Sequence, residues 1–310
     1  SASSYALKSD GSLWAWGSNS GGRLGDGTTT ARTAPVRIGL QTEWVTVDGG
    51  TDHAFAIKQD GSLWGWGANT NGQIGNGTTN NVLQPAQFMP GTSWQAFCAG
   101  RQNSMAVKND GTLWAWGLNS RGQLGDGTTT TRLSPVQIGI ETDWMTAACS
   151  DHSLGIKQDK QLLSWGTDWD GELGNGSWWP QPVSPSLGEV QSFSSGRDFM
   201  VAVLKDGSLW SSGTNTDGKL GLGLLGTVII REPSRIGSDS DWMSVSAGHN
   251  HAIALKSDGS LWAWGNNLEG QLGDGGNLSQ ITPVRIGADT DWRRVNAGYN
   301  HTLALKTNGS

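Results

Sequence analysis

The stretch Leu13-Trp14-Ala15-Trp16-Gly17 decides the fold, because close copies of it return along the chain about every 50 residues. The copies lie at Leu63–Gly67, Leu113–Gly117, Leu162–Gly166, Leu209–Gly213 and Leu261–Gly265. A period of this size is typical of solenoids, propellers and other repeat arrays. A residue that recurs at the same position of every repeat is therefore interpreted first as structural.

Each repeat contains four short segments with the pattern of β-strands. In the second repeat, His53, Phe55 and Ile57 alternate with Ala54, Ala56 and Lys58, which is the period of a strand. An Asp-Gly pair then separates this segment from the Trp-rich one and favours a hairpin turn. In the first repeat, a segment that begins with Pro35 and another that begins with Trp44 complete the set. Four short strands in about 50 residues predict one propeller blade.

The motifs follow a fixed order that is clearest in Asn250–Gly287. The order is His-x-x-Ala-Leu-Lys-x-Asp-Gly, then Trp-Gly-x-Asn-x-x-Gly-Gln-Leu-Gly-Asp-Gly, then Pro-Val-x-Ile. It resembles the regulator-of-chromosome-condensation repeat, and the resemblance covers essentially the whole chain. The resemblance implies a β-propeller, commonly of seven four-stranded blades. It implies no single function, because the family includes an exchange factor on chromatin, a plant ultraviolet-B receptor and various interaction modules.

The two kinds of motif give different blade counts. Six copies of the Trp-rich string are present, counting the weaker copy Leu209–Gly213, but the Ala-Leu-Lys-x-Asp-Gly strand has seven copies, of which the last is Ala304–Gly309. We predict an all-β propeller of six four-stranded blades, and seven blades with a truncated chain is the alternative. No linker-like break interrupts the chain, so residues 1–310 are predicted to form a single domain, with both termini inside a repeat.

The composition argues against two classes of function. Only 15% of the residues are charged and the formal net charge is −6, so the chain lacks the basic footprint of a nucleic-acid-binding protein. No run of 18 apolar residues is present, so membrane insertion is not expected. We therefore expect no nucleic-acid partner and no spanning segment.

The two cysteines, Cys98 and Cys149, lie in adjacent repeats at offsets that differ by one residue. Along a strand, such offsets place side chains on opposite faces. Two cysteines also do not make a disulfide framework. We expect both thiols to be free and partly buried.

Residues that could carry chemistry fall mostly into repeat positions. His53, His152, His251 and His301 share one position, which predicts buried histidines that bond within or between blades. His249 precedes His251 by two residues, which leaves a weak metal or ligand pair as an alternative. The Asp-Gly turns lack the oxygen ligands of a calcium loop, and no nucleotide or nucleophile motif is present. We expect no catalytic residue, no cofactor and no metal.

Fifteen of the 18 tryptophans fall into three repeat columns, where packing between blades explains them. The family's ultraviolet-B receptor is similarly rich in tryptophan, but its Gly-Trp-Arg-His-Thr run is absent here. The corresponding stretch reads Gly298-Tyr299-Asn300-His301-Thr302. Photoreception is therefore not expected.

Two segments in neighbouring repeats depart from the period. Trp169, Trp178 and Trp179 belong to no column, and Leu222–Arg231 is apolar where other repeats read Asp-Gly-Thr-Thr. Irregular loops on a rigid scaffold often bind partners, and exposed tryptophans are enriched at binding hot spots. The alternative is that these side chains fill gaps in the blades. The predicted partner-binding residues are Trp169, Trp178, Trp179, Leu224, Leu225, Ile229 and Ile230.

The leading functional hypothesis is a non-enzymatic scaffold that binds a protein partner through loops on one rim of the propeller. Alternatives are a carbohydrate-binding module that stacks exposed tryptophans on a glycan, and a purely structural module of a longer surface protein. An enzyme domain would need a titratable pair that the sequence does not reveal. Few charges and many Ser, Thr, Asn and Trp residues suggest an extracellular or cell-surface bacterial protein, and a cytoplasmic location stays open.

Overall fold

The computed structural model describes residues 3–174, 179–185 and 187–310, and over these residues the protein is all-β, as predicted. The chain divides into two compact units, residues 1–158 with 180–182 and residues 159–179 with 183–310. Two three-residue 3-10 segments, Ser20–Gly22 and Thr216–Gly218, are the described helices. No helix in the described ranges has the length and apolarity needed to cross a lipid bilayer.

The described strands are short and evenly distributed. In chain order they are β1 (Ser3–Leu7), β2 (Leu13–Gly17), β3 (Arg32–Arg37), β4 (Trp44–Gly49), β5 (His53–Lys58), β6 (Leu63–Gly67), β7 (Val82–Phe88), β8 (Trp94–Ala99), β9 (Asn103–Lys108), β10 (Leu113–Gly117), β11 (Arg132–Ile138), β12 (Trp144–Cys149), β13 (His152–Lys157), β14 (Leu162–Gly166), β15 (Trp179–Val183), β16 (Val190–Ser195), β17 (Phe199–Leu204), β18 (Leu209–Thr214), β19 (Ile229–Arg235), β20 (Trp242–Ala247), β21 (His251–Lys256), β22 (Leu261–Gly265), β23 (Gln280–Arg285), β24 (Trp292–Ala297) and β25 (Thr302–Lys306).

Within each sheet, strands that follow one another in the chain pair as antiparallel neighbours. The first unit holds the three-stranded sheet β1–β3, the four-stranded sheets β4–β7 and β8–β11, and the hairpin β12–β13. The second holds β14 with Trp179 and Val183, the two residues of β15 that pair with it, the four-stranded sheets β16–β19 and β20–β23, and the two-stranded sheet β24–β25. The fold is a six-bladed β-propeller with four-stranded blades, which confirms the prediction. A single domain over residues 1–310, with both termini inside a repeat, stays a prediction.

The Asp-Gly turns fix the hairpins as the sequence predicts. Between β5 and β6, Asp60 Oδ1 accepts the backbone N–H of Ser62 at 2.9 Å, and the N–H of Gly61 donates to the carbonyl of Lys58 at 2.9 Å. Gly61 has φ +78°, a conformation that glycine adopts without steric cost. The turn sets the register that pairs Ala54 with Trp66 across the two strands.

The core lies between successive sheets, where four tryptophans of one column, Trp66, Trp116, Trp165 and Trp264, are fully buried. In the first unit, the ring of Trp116 stacks on Phe88 with centroids 4.8 Å apart and meets Phe55 edge-on at 5.7 Å. Its indole N–H donates to the carbonyl of Gln73 at 2.8 Å. Trp66 and Trp264 repeat this bond in their own repeats, to Arg23 and Lys219. The predicted packing role of this column is confirmed.

The prediction of free cysteines is wrong, because Cys98 of β8 and Cys149 of β12 form a disulfide with Cα atoms 5.9 Å apart. The two offsets do place the side chains on opposite faces of their own sheets. However, successive blades pack with opposite faces towards each other, so these are the two faces that meet. The Asp48 carboxylate follows the same rule one blade earlier, where it accepts the N–H of Ala99 at 3.2 Å.

Candidate protein-interaction surface

Two of the repeated histidines, His53 and His251, bond to the strand of the next repeat, as predicted. His53 is buried, and its Nε2 lies 2.7 Å from the Ser104 hydroxyl, which itself donates to the carbonyl of Gln73 at 2.8 Å. Because that hydroxyl proton is committed, Nε2–H of His53 acts as the donor. Burial lowers the pKa of His53 to about 3, so the ring is neutral and ties one sheet to the next. His251 makes the equivalent contact with Thr302 at 3.1 Å.

His249 does not join His251 in a ligand pair. Its ring stacks on Tyr299 with centroids 3.9 Å apart and planes 30° apart. Burial, together with the nearby charge of Arg197, lowers the pKa of His249 to about 4. Over the described ranges, no group of three or more His, Cys, Asp or Glu side chains is placed to hold a metal ion.

Most of the predicted binding residues that the structure describes are exposed. Trp169 is 65% exposed, Leu225 79% and Ile229 42%, and Leu224 is also exposed. Ile230 is half-buried and packs against the core of the second unit, since successive residues of β19 point to opposite faces. Trp178 lies outside the described residues. Trp179 is described only as the first residue of β15, where it pairs with Gly166.

Hydrogen bonds from Asn215 hold the apolar loop that precedes β19. The Asn215 side-chain amide donates to the carbonyl of Leu224 at 2.9 Å, and the Asn215 backbone N–H donates to the carbonyl of Val228 at 2.7 Å. Both ends of the segment from Leu224 to Val228 are thus fixed on one residue. The segment between them bulges outward, which explains the high exposure of Leu225.

Arg231 brings the two irregular segments together. From β19, its guanidinium donates to the carbonyl of Asp168 at 3.3 Å and to the carbonyl of Trp169 at 3.2 Å. Gly171 lies directly against the backbone of Ile230 and Arg231, which leaves no room for a side chain there. We define the apolar surface as the exposed side chains that these contacts gather in the second unit, namely Trp169, Leu224, Leu225, Val228 and Ile229.

The sequence reasoning missed two buried acids in the loop that carries Trp169. Asp168 and Glu172 are both buried, Glu172 being only 2% exposed. Burial raises the pKa of Glu172 to about 7 and raises that of Asp168. The signal was present in the repeat itself, because the position of Asp168 is occupied by asparagine in the other five copies.

Family comparisons agree with the repeat analysis. The family model of the RCC1-like domain matches residues 1–236, and models of the regulator of chromosome condensation repeat match residues 258–305 and 244–271. Among curated proteins, the chain is 34% identical to the ultraviolet-B receptor UVR8 of Arabidopsis thaliana over 104 residues. That match covers 33% of this chain and 24% of the receptor. The match to the X-linked retinitis pigmentosa GTPase regulator homolog of Caenorhabditis elegans is 31% identical and covers 31% of this chain and 7% of that protein.

Solved structures share the fold at low sequence identity. Prp20p of Saccharomyces cerevisiae superposes with a TM-score of 0.85 at 19% identity, over 97% of this chain and 80% of that one. Human WBSCR16 gives a TM-score of 0.86 at 20% identity, over 98% of this chain and 83% of that one. At these identities the likeness establishes the fold alone.

Proposed function

The chain belongs to the family of RCC1-like domains, and we propose that it is a non-enzymatic scaffold that binds another protein through the apolar surface on one rim of the propeller. The RCC1-like fold is consistent with a protein-interaction scaffold. Of the residues predicted from the sequence, Trp169, Leu224, Leu225 and Ile229 belong to this surface, and their binding role is our proposal. Trp178 and Trp179 stay predictions, and the half-buried Ile230 packs against the core of the second unit.

The observation that carries this proposal is the replacement of a polar turn by exposed apolar side chains. In the third repeat, the equivalent turn is a polar network in which Asp126 accepts bonds from Asn119, Thr128 and Arg132. In the fifth repeat, that stretch reads Leu222-Gly223-Leu224-Leu225-Gly226. Burying one such side chain is worth about 1.5–3 kcal/mol, so a clustered exposed set is a source of binding free energy.

Charge and chemistry favour a protein partner. The net charge of −6 opposes association with nucleic acid, and an aromatic ring beside aliphatic side chains is typical of protein hot spots. Structural relatives support this interpretation by analogy. Yeast Prp20p has binding properties towards Gsp1p and histones, and it has been crystallised bound to Kap60.

We propose an extracellular or cell-surface location. The disulfide between Cys98 and Cys149 supports it, because such bonds persist mainly in oxidising compartments. Mass spectrometry of the protein from its native source, with thiols alkylated before lysis, tests this proposal. Recovery of both cysteines as alkylated free thiols would contradict it.

The test of the binding role is affinity capture from the source organism with three forms of the chain. The first is the native chain, and the second carries Trp169→Ser, Leu225→Ser and Ile229→Thr. The control carries Leu40→Ser and Ile140→Ser, which remove side chains that are 87% and 91% exposed in the first unit. We expect one protein to be captured by the native chain and the control but lost from the triple variant. Capture of the same proteins by all three forms would reject the surface.

A further inference from the structure

The loop that carries Trp169 differs in charge from its copies elsewhere in the chain. At the position of Asp168 the other five repeats have asparagine, and at the position of Glu172 three repeats have glutamine. Both changes replace an amide by an acid of the same size. The asparagines are Asn19, Asn69, Asn119, Asn215 and Asn267, and the glutamines are Gln73, Gln123 and Gln271.

The acid oxygens accept the same backbone N–H groups that the side-chain amide oxygens accept in the other repeats. In the second repeat, Gln73 Oε1 accepts the N–H of Asn71 at 2.9 Å, and in the fourth, Glu172 Oε2 accepts the N–H of Asp170 at 2.8 Å. Asp168 Oδ1 likewise accepts the N–H of Leu173 at 3.0 Å, as asparagine does in the other copies. The loop therefore has the same path as its copies.

The hydrogen bonds that the amide NH2 groups donate can be replaced by an acid only if that acid is protonated. The Asn119 amide donates to Asp126 at 3.0 Å, and the Gln271 amide donates to Asn266 at 2.6 Å. An ionised carboxylate only accepts, whereas a protonated one can donate. Among the described residues, the buried Asp168 Oδ2 has no hydrogen-bond partner. In the fourth repeat, the positions that would receive the asparagine amide, 175 and 177, lie outside the described residues.

The charges around Glu172 disfavour a second buried negative charge. Asp168 and Asp170 flank it on its own loop, and both repel an ionised Glu172. Arg231 faces the loop from β19, but the bonds of its guanidinium described here go to backbone carbonyls. Lys219 acts on Asp170 while it is ion-paired with Asp198. We find no described cation paired with the Glu172 carboxyl.

The loop also lacks the two donors that hold its copy in the second repeat. In the second repeat, the carbonyl of Gln73 accepts bonds from Trp116 and Ser104, each at 2.8 Å. The residues at those two positions facing the fourth repeat are Ser212 and Met200. Methionine has no donor, and the buried Ser212 hydroxyl has no partner among the described residues. The loop is held instead at its two ends, where the carbonyl of Leu173 accepts the Ser164 hydroxyl at 2.7 Å and the carbonyls of Asp168 and Trp169 accept Arg231. None of these bonds reaches the carbonyl of Glu172, so Glu172 at the centre of the loop is held through its own side chain.

We propose that the loop from Asp168 to Leu173 is a proton-controlled element, ordered when Glu172 is protonated and loosened when Glu172 ionises, so that the presentation of Trp169 depends on pH. The loop transition does not depend on the proposed function, whereas its consequence for partner binding rests on that function. Burial raises the pKa of Glu172 to about 7. A pKa that is raised by folding gives stability that is full below the unfolded value of about 4.5 and is lost as pH rises towards 7.

Amide hydrogen exchange of the full chain between pH 5 and pH 8, corrected for intrinsic exchange, tests the loop transition. We expect the protection of the Asp170 and Leu173 amides to fall by at least about tenfold over this range, because one pKa unit corresponds to a factor of ten. Glu172→Gln should remove most of this dependence. The matched control is Gln73→Glu, which adds the same acid where Trp116 and Ser104 hold the loop, and its protection should fall less.

Two results would overturn the proposal. One is protection in the native chain that does not change with pH, and the other is the same pH dependence in Glu172→Gln as in the native chain. Partner capture at pH 5.5 and pH 8 separates this proposal from the proposed function. If capture is unchanged by the triple variant of the apolar surface but the loop still loosens with pH, the proposed function fails and the loop transition stands.

Discussion

Two copies of one loop, Asn69–Ile74 in the first unit and Asp168–Leu173 in the second, follow the same hydrogen-bonded path with different chemistry. In the first copy, Gln73 is neutral and its carbonyl is held by Trp116 and Ser104. In the second, Glu172 is a buried acid without those donors, and its neighbour Trp169 is exposed. The backbone path of a repeat therefore survives changes that remove its fixing bonds. Such a change alters how a loop is held without altering the blade.

The largest expected effect lies in the regular copy. Trp116→Ala removes a fully buried ring and the bond to the Gln73 carbonyl, so we expect the free energy of unfolding to fall by about 3–5 kcal/mol. Urea unfolding measures the change. Trp169→Ala is the matched control in the irregular copy, and it should change stability by less than about 0.5 kcal/mol. Equal losses for the two variants would remove the contrast between the copies.

The next effect concerns the cross-link between β8 and β12. The disulfide joins residues separated by 51 positions, so replacing both Cys98 and Cys149 by serine should lower stability by about 2–4 kcal/mol. Unfolding with and without a reductant checks this. Reductant should destabilise the native chain and leave the double variant unchanged, whereas a native chain that is insensitive to reductant would contradict the assignment.

Restoring the consensus at the irregular copy sharpens the comparison. Ser212→Trp alone places an indole beside Met200. In other repeats the tryptophan ring occupies the space that Met200 fills here, so overpacking should cost about 1–3 kcal/mol. Adding Met200→Ser recreates the regular pair and should recover that loss. Thermal unfolding of the single and double variants measures both. A single variant as stable as the native chain would show that the space is not filled by Met200.

The smallest effect is a pH dependence of opposite sign to that of Glu172. Burial lowers the pKa of His53 from 6.5 to about 3, so its contribution is present above pH 6.5 and is lost as pH falls. We expect the native chain to lose about 1.4 kcal/mol per pH unit below 6.5 through this residue. His53→Asn, which places there the residue found at Asn103, should give a flatter curve. Parallel stability curves between pH 5 and pH 7 would contradict the burial of a neutral ring.

Much of the fold was predictable from the sequence because repetition multiplies a weak local signal. The alternation in one strand is ambiguous, but six copies of Leu-x-x-Trp-Gly or its variants identify the strand, the turn and the buried column together. The same repetition exposed Trp169 and Leu222–Arg231 as departures. Their exposure was not predictable, since the sequence left binding and gap-filling as alternatives.

The sequence by itself determined the strands, their turns, the packing role of the buried tryptophans and the two irregular segments, because each depends on contacts within one repeat or on its periodicity. Only the tertiary structure decided that Cys98 meets Cys149, that Arg231 joins the two segments, and that Glu172 is a buried acid. Each of these depends on which faces of neighbouring elements approach each other. That information is set by the packing of blades, and the period of a single repeat does not contain it.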